Sequence, residues 1–141
     1  MNIQVAVLCD AATDDNGKLN LLGAFDTIMA RELPWIHPQC AVAMRVTFLS
    51  GEEGMHNFHF NFVDADGRSI TPGMPPLPPI EVRLPDDVHF CTRNFIFSIQ
   101  QLKFDAIGLY SVDFSIDGRT LASIPLLVKH IQVPPQPPVE E

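Results

Sequence analysis

The chain has 141 residues, which suits one domain able to bury roughly two thirds of the surface that its unfolded form exposes. Hydrophobic residues make up 46% and charged residues 18%, a balance that excludes an intrinsically disordered chain and indicates a globular one. The net charge of −8, with nine Lys and Arg residues scattered singly, argues against binding to nucleic acid or to an anionic membrane, because both need clustered basic side chains.

The N-terminal region predicts neither export nor membrane insertion. It has no basic residue before Lys18, its apolar run at residues 3–8 is too short for a signal peptide, and no segment approaches the ~20 apolar residues of a membrane span. Cys9, Cys40 and Cys91 show no close spacing and fit reduced thiols better than a disulfide framework. We therefore expect a soluble, cytoplasmic protein.

The first part of the chain predicts three β-strands. They cover residues 2–9, 18–29 and 40–49, where apolar and β-branched residues concentrate. Residues 14–17 have turn chemistry and lack the further acids that a calcium loop requires. Gly23 inside the second strand indicates a bulge or a bend. Small residues in the third strand predict a place where sheets approach closely.

Trp35 and His37 precede the third strand in a segment whose two prolines exclude a helix. A lone Trp is most often a hydrophobic plug, and we expect Trp35 to close one end of the fold. The alternative is a ligand-binding role, in which Trp35 stacks on a small molecule. Trp35 and His37 are therefore candidate binding residues.

The strand predicted at residues 55–63 has the clearest alternation in the chain. Phe58, Phe60 and Phe62 fall on one face, which we expect in the core. The opposite face is polar and suggests a surface for a small molecule or a carbohydrate. The candidate binding residues of this kind are Asn57, His59 and Asn61, together with Asn94 of a later strand.

Residues 72–79, PGMPPLPP, predict a polyproline II segment, since five of the eight residues are proline. Met74 and Leu77 are its apolar side chains, and both are candidates for recognition by an aromatic-lined groove of a partner protein. The structural alternative is a rigid crossover between sheets that keeps a neighbouring edge from pairing. A short edge strand is expected to follow at residues 80–84.

The hairpin at residues 107–133 is the strongest structural signal. Asp117 and Gly118 supply the two positive-φ positions of a tight turn. Tyr110, near the start of the first strand, partly matches a tyrosine corner. Pro125 cannot donate to a ladder, so its strand must lie at an edge, carry a bulge or change sheets there. The expected core consists of Phe58, Phe60, Phe62, Phe95, Phe97, Tyr110, Val112, Phe114 and Ile116.

Together with a long strand at residues 89–102, these elements predict an all-β fold without helices. We expect an antiparallel β-sandwich of about seven to nine strands, immunoglobulin-like rather than a jelly roll. One domain is predicted over residues 1–133. The tail at residues 134–141 is proline-rich and acidic and is predicted to be disordered.

Several short motifs at both ends of the chain resemble a family of small, uncharacterised bacterial β-sandwich proteins, a domain of unknown function. The resemblance covers residues 1–132 and implies a bacterial source, but it brings no activity, ligand or partner. The residues that carry it are Cys9-Asp10, Gly17-Lys18-Leu19, Leu22-Gly23-Ala24-Phe25-Asp26, Pro34, His37-Pro38, Gly108-Leu109-Tyr110, Asp117-Gly118 and Ile124-Pro125-Leu126.

The sequence predicts no catalytic residue, no metal site and no cofactor. His56 and His59 fall on opposite faces of a strand, so they cannot share an ion without a bulge. None of the common zinc, nucleophile-elbow or dinucleotide-binding motifs occurs. We therefore do not expect an enzyme.

Three functions remain open at this point. The first is a non-enzymatic protein-binding or assembly module, which binds a protein partner or forms a homodimer through lightly charged edge strands. The second is a binder of small molecules or carbohydrates on a polar sheet face. The third, less favoured, is a hydrolase with a dispersed site.

Overall fold

The computed structural model describes residues 1–72 and 76–131, and within these ranges the chain is all β with no helix. It therefore contains, in the described part, no helix that could cross a membrane. In chain order the strands are β1 (Asn2–Asp15), β2 (Lys18–Phe25), β3 (Thr27–Ala30), β4 (Trp35–Leu49), β5 (Gly54–His56), β6 (Phe58–Val63), β7 (Ile80–Val82), β8 (Phe90–Phe104), β9 (Gly108–Ile116) and β10 (Arg119–His130).

The ten strands of the described residues exceed the expected seven to nine because two predicted strands are each divided. The strand expected at residues 18–29 breaks at Asp26, where the chain leaves one sheet for another. The strand expected at residues 55–63 breaks at Asn57, whose backbone N–H bonds to the Asp117 carboxylate rather than to a neighbouring strand. Alternation continues across the break at Asn57, where His56 and Phe58 are both buried, so the sequence pattern does not reveal that break.

Two four-stranded sheets form the body of the fold. Sheet A has the order β2-β1-β4-β8 and is antiparallel throughout. Sheet B has the order β3-β10-β9-β6 and contains one parallel pair, β3 with β10. The expectation of a purely antiparallel fold is wrong at that pair, because the short β3 follows a change of sheet. A separate two-stranded sheet pairs β5 with β7.

The core lies between sheets A and B, and aromatic rings from both sheets meet there. Phe58 and Phe60 of sheet B contact Phe95 and Phe97 of sheet A, each pair with ring centroids 4.7 Å apart. The predicted register is confirmed: the expected core residues are buried, apart from Phe97, which is half-buried and packs against the rest. Sheets A and B are thus held together chiefly by the burial of large apolar side chains.

The hairpin of β9 and β10 forms as predicted. Asp117 and Gly118 adopt φ values of 52° and 81° in the connecting turn. Pro125 pairs with Ser111 of β9, while the parallel pairing with β3 begins only at Leu127. The other side of β10 is therefore unpaired where the proline lies, which agrees with the expectation of a local edge.

Near its tip, the hairpin of β1 and β2 bends back over the outer face of sheet A. Arg45 pairs with Val5 near the start of β1, yet its Nη1 donates to the carbonyl of Gly17 at the hairpin tip, 2.8 Å away. The bend buries a second apolar cluster that includes Ala41 and Ala43. These small side chains leave room for the overlying hairpin. The expectation that they mark a close approach of two sheets is wrong, because they lie on the outer face of sheet A and not between the sheets.

Tyr110 ties the start of β9 to the preceding corner of the chain. Its Oη donates a 2.7 Å hydrogen bond to the carbonyl of Ala106, four residues upstream. This is the geometry of a tyrosine corner. The tail at residues 134–141, like the last residues of the predicted 1–133 domain, lies outside the described residues.

Candidate functional site

One edge of the two facing sheets carries a cavity, which we name the edge groove. It has a volume of about 720 Å³ and is bordered by residues 96–103 of β8. β8 is the last strand of sheet A, so its outer edge is unpaired within the described part of the chain. The other lining residues are Phe60, Ile70, Thr71, Pro72 and Leu77.

The edge groove is apolar at its floor and polar along its β8 rim. Phe60 and Phe97 provide adjacent, tilted aromatic rings, and Leu77 packs on the core from the opposite wall. Ser98 and Lys103 give the rim its polar character. An apolar channel beside unpaired backbone groups suits an extended chain, which needs both kinds of contact.

A smaller cavity of about 300 Å³ adjoins the edge groove and collects three of the predicted binding residues. His59, Asn61 and Leu77 line it together. Met74, the other predicted residue of the proline-rich segment, lies outside the described residues. The outer face of β6 and the proline-rich segment therefore border the same region.

Asn57 and Asn94 do not belong to that region. Asn57 is exposed and joined through its backbone to Asp117 at the β9–β10 turn. Asn94 lies on the outer face of sheet A, where it accepts a bond from Arg45 and donates to Asp14. These bonds lower the pKa of Asp14, chiefly through the Asn94 amide. The predicted polar residues are thus divided between two opposite faces and form no common surface.

Trp35 and His37 line a second separate cavity, which we name the end pocket. It has a volume of about 400 Å³ and lies where the chain passes from β2 to β3. Both side chains are half-buried and point to the same face of β4. The remaining lining residues are Asp10, Gly23, Ala24, Phe25, Thr27, Ile28 and Met29.

Two nitrogen atoms of the end pocket are sealed from solvent without a partner among the described residues. They are Nε1 of Trp35 and Nδ1 of His37. Burial lowers the pKa of His37, although the negative charge of Asp10 acts in the opposite direction. Burial also raises the pKa of Cys40 to about 11, with a smaller contribution from Cys9 and Asp10. The imidazole is therefore favoured in its neutral form and the thiol stays protonated at neutral pH.

Sequence reasoning missed Asp10 as a pocket residue. Leu8, two residues earlier, is buried in the core, so the period of two turns Asp10 toward the same inner side. That periodicity was the available signal. The sequence alone could not reveal that Gly23 and His37 would lie beside it.

Sequence reasoning also missed a charged cluster around His56. Its Nδ1 lies 2.6 Å from Oδ2 of Asp117, and its Nε2 lies 2.6 Å from the carbonyl of Glu52. Both partners are acceptors, so the ring satisfies both only when each nitrogen carries a proton. The hydrogen bond to Asp117 is the main reason why the pKa of His56 is raised.

The three cysteines are free thiols: Cys9 and Cys40 are buried and Cys91 is half-buried. Within residues 1–72 and 76–131, no group of three or more His, Cys, Asp or Glu side chains gathers in the manner of a metal site.

The two facing sheets, the unpaired edge of β8 and the two cavities belong to an all-β domain. A family of unknown function, DUF6941, matches residues 4–129, and the chain belongs to this family. The resemblance found in the sequence to an uncharacterised domain is thereby confirmed. No curated protein and no solved structure matches the chain.

Proposed function

We propose that the protein is a non-enzymatic binding module that takes up an extended segment of a partner protein along β8. The observation that carries the proposal is the edge groove, in which the unpaired edge of a 15-residue strand borders an apolar channel. Such an edge offers backbone donors and acceptors, and the channel offers space for alternate side chains.

The strand order favours an immunoglobulin-like fold. Such a fold supports the proposal, because it defines which strand would normally lie beside β8. In immunoglobulin constant-type domains, one sheet has the order ABED and the other contains C, F and G. Here β1-β4-β8 corresponds to A-B-E, and β6-β9-β10 corresponds to C-F-G. The Tyr110 corner then lies at the start of strand F, where such domains carry it.

Under this assignment, the place of strand D beside β8 holds no strand in the described part of the chain. The segment between β6 and β8 passes there, and Pro72 and Leu77 form a wall of the edge groove. Prolines lack the N–H that a ladder requires, so this segment is poorly suited to become the missing strand. A strand from a partner can add at this position instead.

The charges of β8 favour a different protein over a second copy of this chain. β8 contains Arg93 and Lys103 and no acidic residue. A homodimer that paired two β8 strands would therefore bring basic residues together, and Asp105, whose Oδ1 lies 3.6 Å from Nζ of Lys103, would offset only part of that charge. A partner segment that carries acidic residues at its ends and apolar residues at alternate positions fits better.

Selection from a displayed library of random ten-residue peptides tests the proposal directly. We expect enriched peptides to alternate apolar residues and to end in Asp or Glu. Bound peptides should slow amide hydrogen exchange at residues 96–103, because these residues border the groove and their backbone would pair with the peptide. These eight residues span about 26 Å of strand, which a ten-residue peptide can cover.

Two charge reversals give a matched comparison. Lys103→Glu should weaken the binding of the selected peptides about two- to fivefold, as expected when an exposed ion pair is lost. Lys129→Glu, an equally exposed change at the end of β10, should leave affinity unchanged. A failure to enrich any peptide, or protection at another strand, would overturn the proposal. If sedimentation showed a dimer and the β8 amides were protected from exchange in it, the occupant of the edge groove would be a second copy of this chain and not a different protein.

A further inference from the structure

The end pocket lies on the side of the molecule away from the edge groove. It is flanked by β2 and β3, which are the edge strands of sheets A and B opposite to β8 and β6. Its walls are apolar and aromatic: Phe25 and Trp35 contribute rings and Met29 contributes an exposed side chain. The lining residues come from four separate strands, so this surface exists only when the protein is folded.

Asp10 stands at the rim of this pocket and is held there by a close approach to Gly23. A Cβ atom at Gly23 would lie only 2.9 Å from Cγ of Asp10 and would overlap the carboxylate. Gly23 also has a φ of +66°, which side-chain-bearing residues rarely adopt. The backbone therefore makes room for this carboxylate. No Lys, Arg or His among the described residues forms an ion pair with it.

The carboxylate of Asp10 is a charged acceptor that the end pocket presents to a ligand. Nε1 of Trp35 and Nδ1 of His37 are sealed from solvent, so these two atoms are not available at the pocket surface. No Lys or Arg lines the described pocket, whereas Asp26 lies in the turn between β2 and β3. Anions are disfavoured by this arrangement. A cation can use the carboxylate and the aromatic faces at the same time.

We propose that the end pocket binds an organic ammonium group, carried either by a free alkylamine or by a lysine side chain. The ammonium lies against the Asp10 carboxylate, and its alkyl chain packs between Phe25 and Trp35. A volume of about 400 Å³ accommodates a small amine with its alkyl chain. This site is independent of the edge groove and does not require that β8 bind a partner.

Trp35 is the only Trp of the chain, so its fluorescence reports on this pocket alone. We would titrate the protein with n-butylammonium chloride, with n-butanol as the neutral analogue of the same shape. We expect a saturable change in emission with the amine and at least about tenfold weaker binding of the alcohol, since the alcohol lacks the charge. Equal responses to both compounds would overturn the proposal.

Charge-removing variants locate the site. Asp10→Asn should weaken the binding of butylammonium about tenfold, while the melting temperature stays close to that of the parent protein. Asp87→Asn removes the same charge near the start of β8, at the end of the β4–β8 pair remote from Trp35, and should have no effect. If both variants weakened binding equally, the amine would be responding to net charge and the site would be refuted.

N-acetyl-lysine methylamide separates the two sources of the ammonium group. Tighter binding than butylammonium assigns the pocket to lysine side chains of proteins, and weaker binding assigns it to free amines. If neither compound changes the emission of Trp35, the end pocket does not bind this class of ligand and the proposal is wrong.

Discussion

The charged cluster at His56 predicts a specific dependence of stability on pH. His56 joins the β5 strand to the β9–β10 turn through Asp117 and to the preceding turn through the Glu52 carbonyl. Its side chain is 10% exposed, while that of Asp117 is 40% exposed. The carboxylates of Asp117 and Glu52 are the charged groups that raise its pKa by their proximity, after the hydrogen bonds to the ring.

The sign of the effect follows from the direction of each shift. Because the pKa of His56 is raised by folding, its contribution to stability is complete below the unfolded pKa of about 6.5 and is lost as the pH rises through the folded value. The pKa of Asp117 is lowered, chiefly by the N–H of Asn57. Its contribution is present above about pH 3.9 and is lost as the pH falls through its folded value.

Two variants set the magnitude. Hydrogen bonds to charged groups contribute about 1.5–3 kcal/mol, and the exposure of Asp117 places this pair toward the lower end. We expect His56→Ala to lower the free energy of unfolding by about 1.5–2 kcal/mol at pH 6. His59→Ala, a change at an exposed neighbour on β6, should remain within about 0.5 kcal/mol.

Urea denaturation between pH 5 and pH 9, followed by circular dichroism, measures these quantities. Asp117→Asn is the sharper variant, because Asn also tolerates positive φ and keeps the turn while it removes the carboxylate. It should flatten the decline in stability above neutral pH. A parent protein whose stability is constant from pH 6 to pH 9, or a variant with an unchanged slope, would refute the proposed doubly protonated state.

Three further predictions concern the backbone, the core and the thiols. Gly23→Ala should cost about 1–3 kcal/mol of stability, because of its positive φ and the close carboxylate of Asp10. Gly51→Ala, at a site with open space, should cost less than about 0.5 kcal/mol. Thermal melts that rank the two variants otherwise would contradict the close approach of Asp10 to Gly23. Phe114→Ala should cost about 3–5 kcal/mol in denaturant titrations, because its ring is fully buried, and a loss below 1 kcal/mol would mean the register of β9 is wrong. Cys91 is half-buried and should react first with a thiol reagent in the native protein. Cys40 should react only on unfolding, because burial raises its pKa to about 11. Simultaneous labelling of the two thiols would argue against this packing.

The sequence was most informative where one face of a strand is buried and the other is exposed to solvent. The alternation at Phe58, Phe60 and Phe62 determined which side faces the core, because a slip of one residue would bury the polar partners. The Asp117-Gly118 turn was equally clear, since few residue pairs tolerate two positive φ values.

The sheet to which each strand belongs could not be predicted in this way. Asn61 and Asn94 both stand next to phenylalanine residues in the sequence, yet they lie in different sheets of the fold. Periodicity describes the faces of a strand and carries no information on its neighbours. The parallel pairing of β3 with β10 was missed for the same reason. The end pocket takes Thr27, Ile28 and Met29 from β3, so it depends in part on that pairing.

The central place of β4 in sheet A has a consequence for how the chain folds. β4 pairs with residues of β1 that lie between 32 (Cys9 with Ala41) and 45 (Asn2 with Thr47) positions earlier, and with residues of β8 between 41 (Leu49 with Phe90) and 69 (Trp35 with Phe104) positions later. By contrast, β1–β2 and β9–β10 are local hairpins. Closing such long loops is slow, so we expect the hairpins to form early and sheet A to close in the rate-limiting step, on the scale of milliseconds to seconds. Trp35 pairs with Phe104 across β4 and β8, so its fluorescence during stopped-flow refolding would report that closure directly.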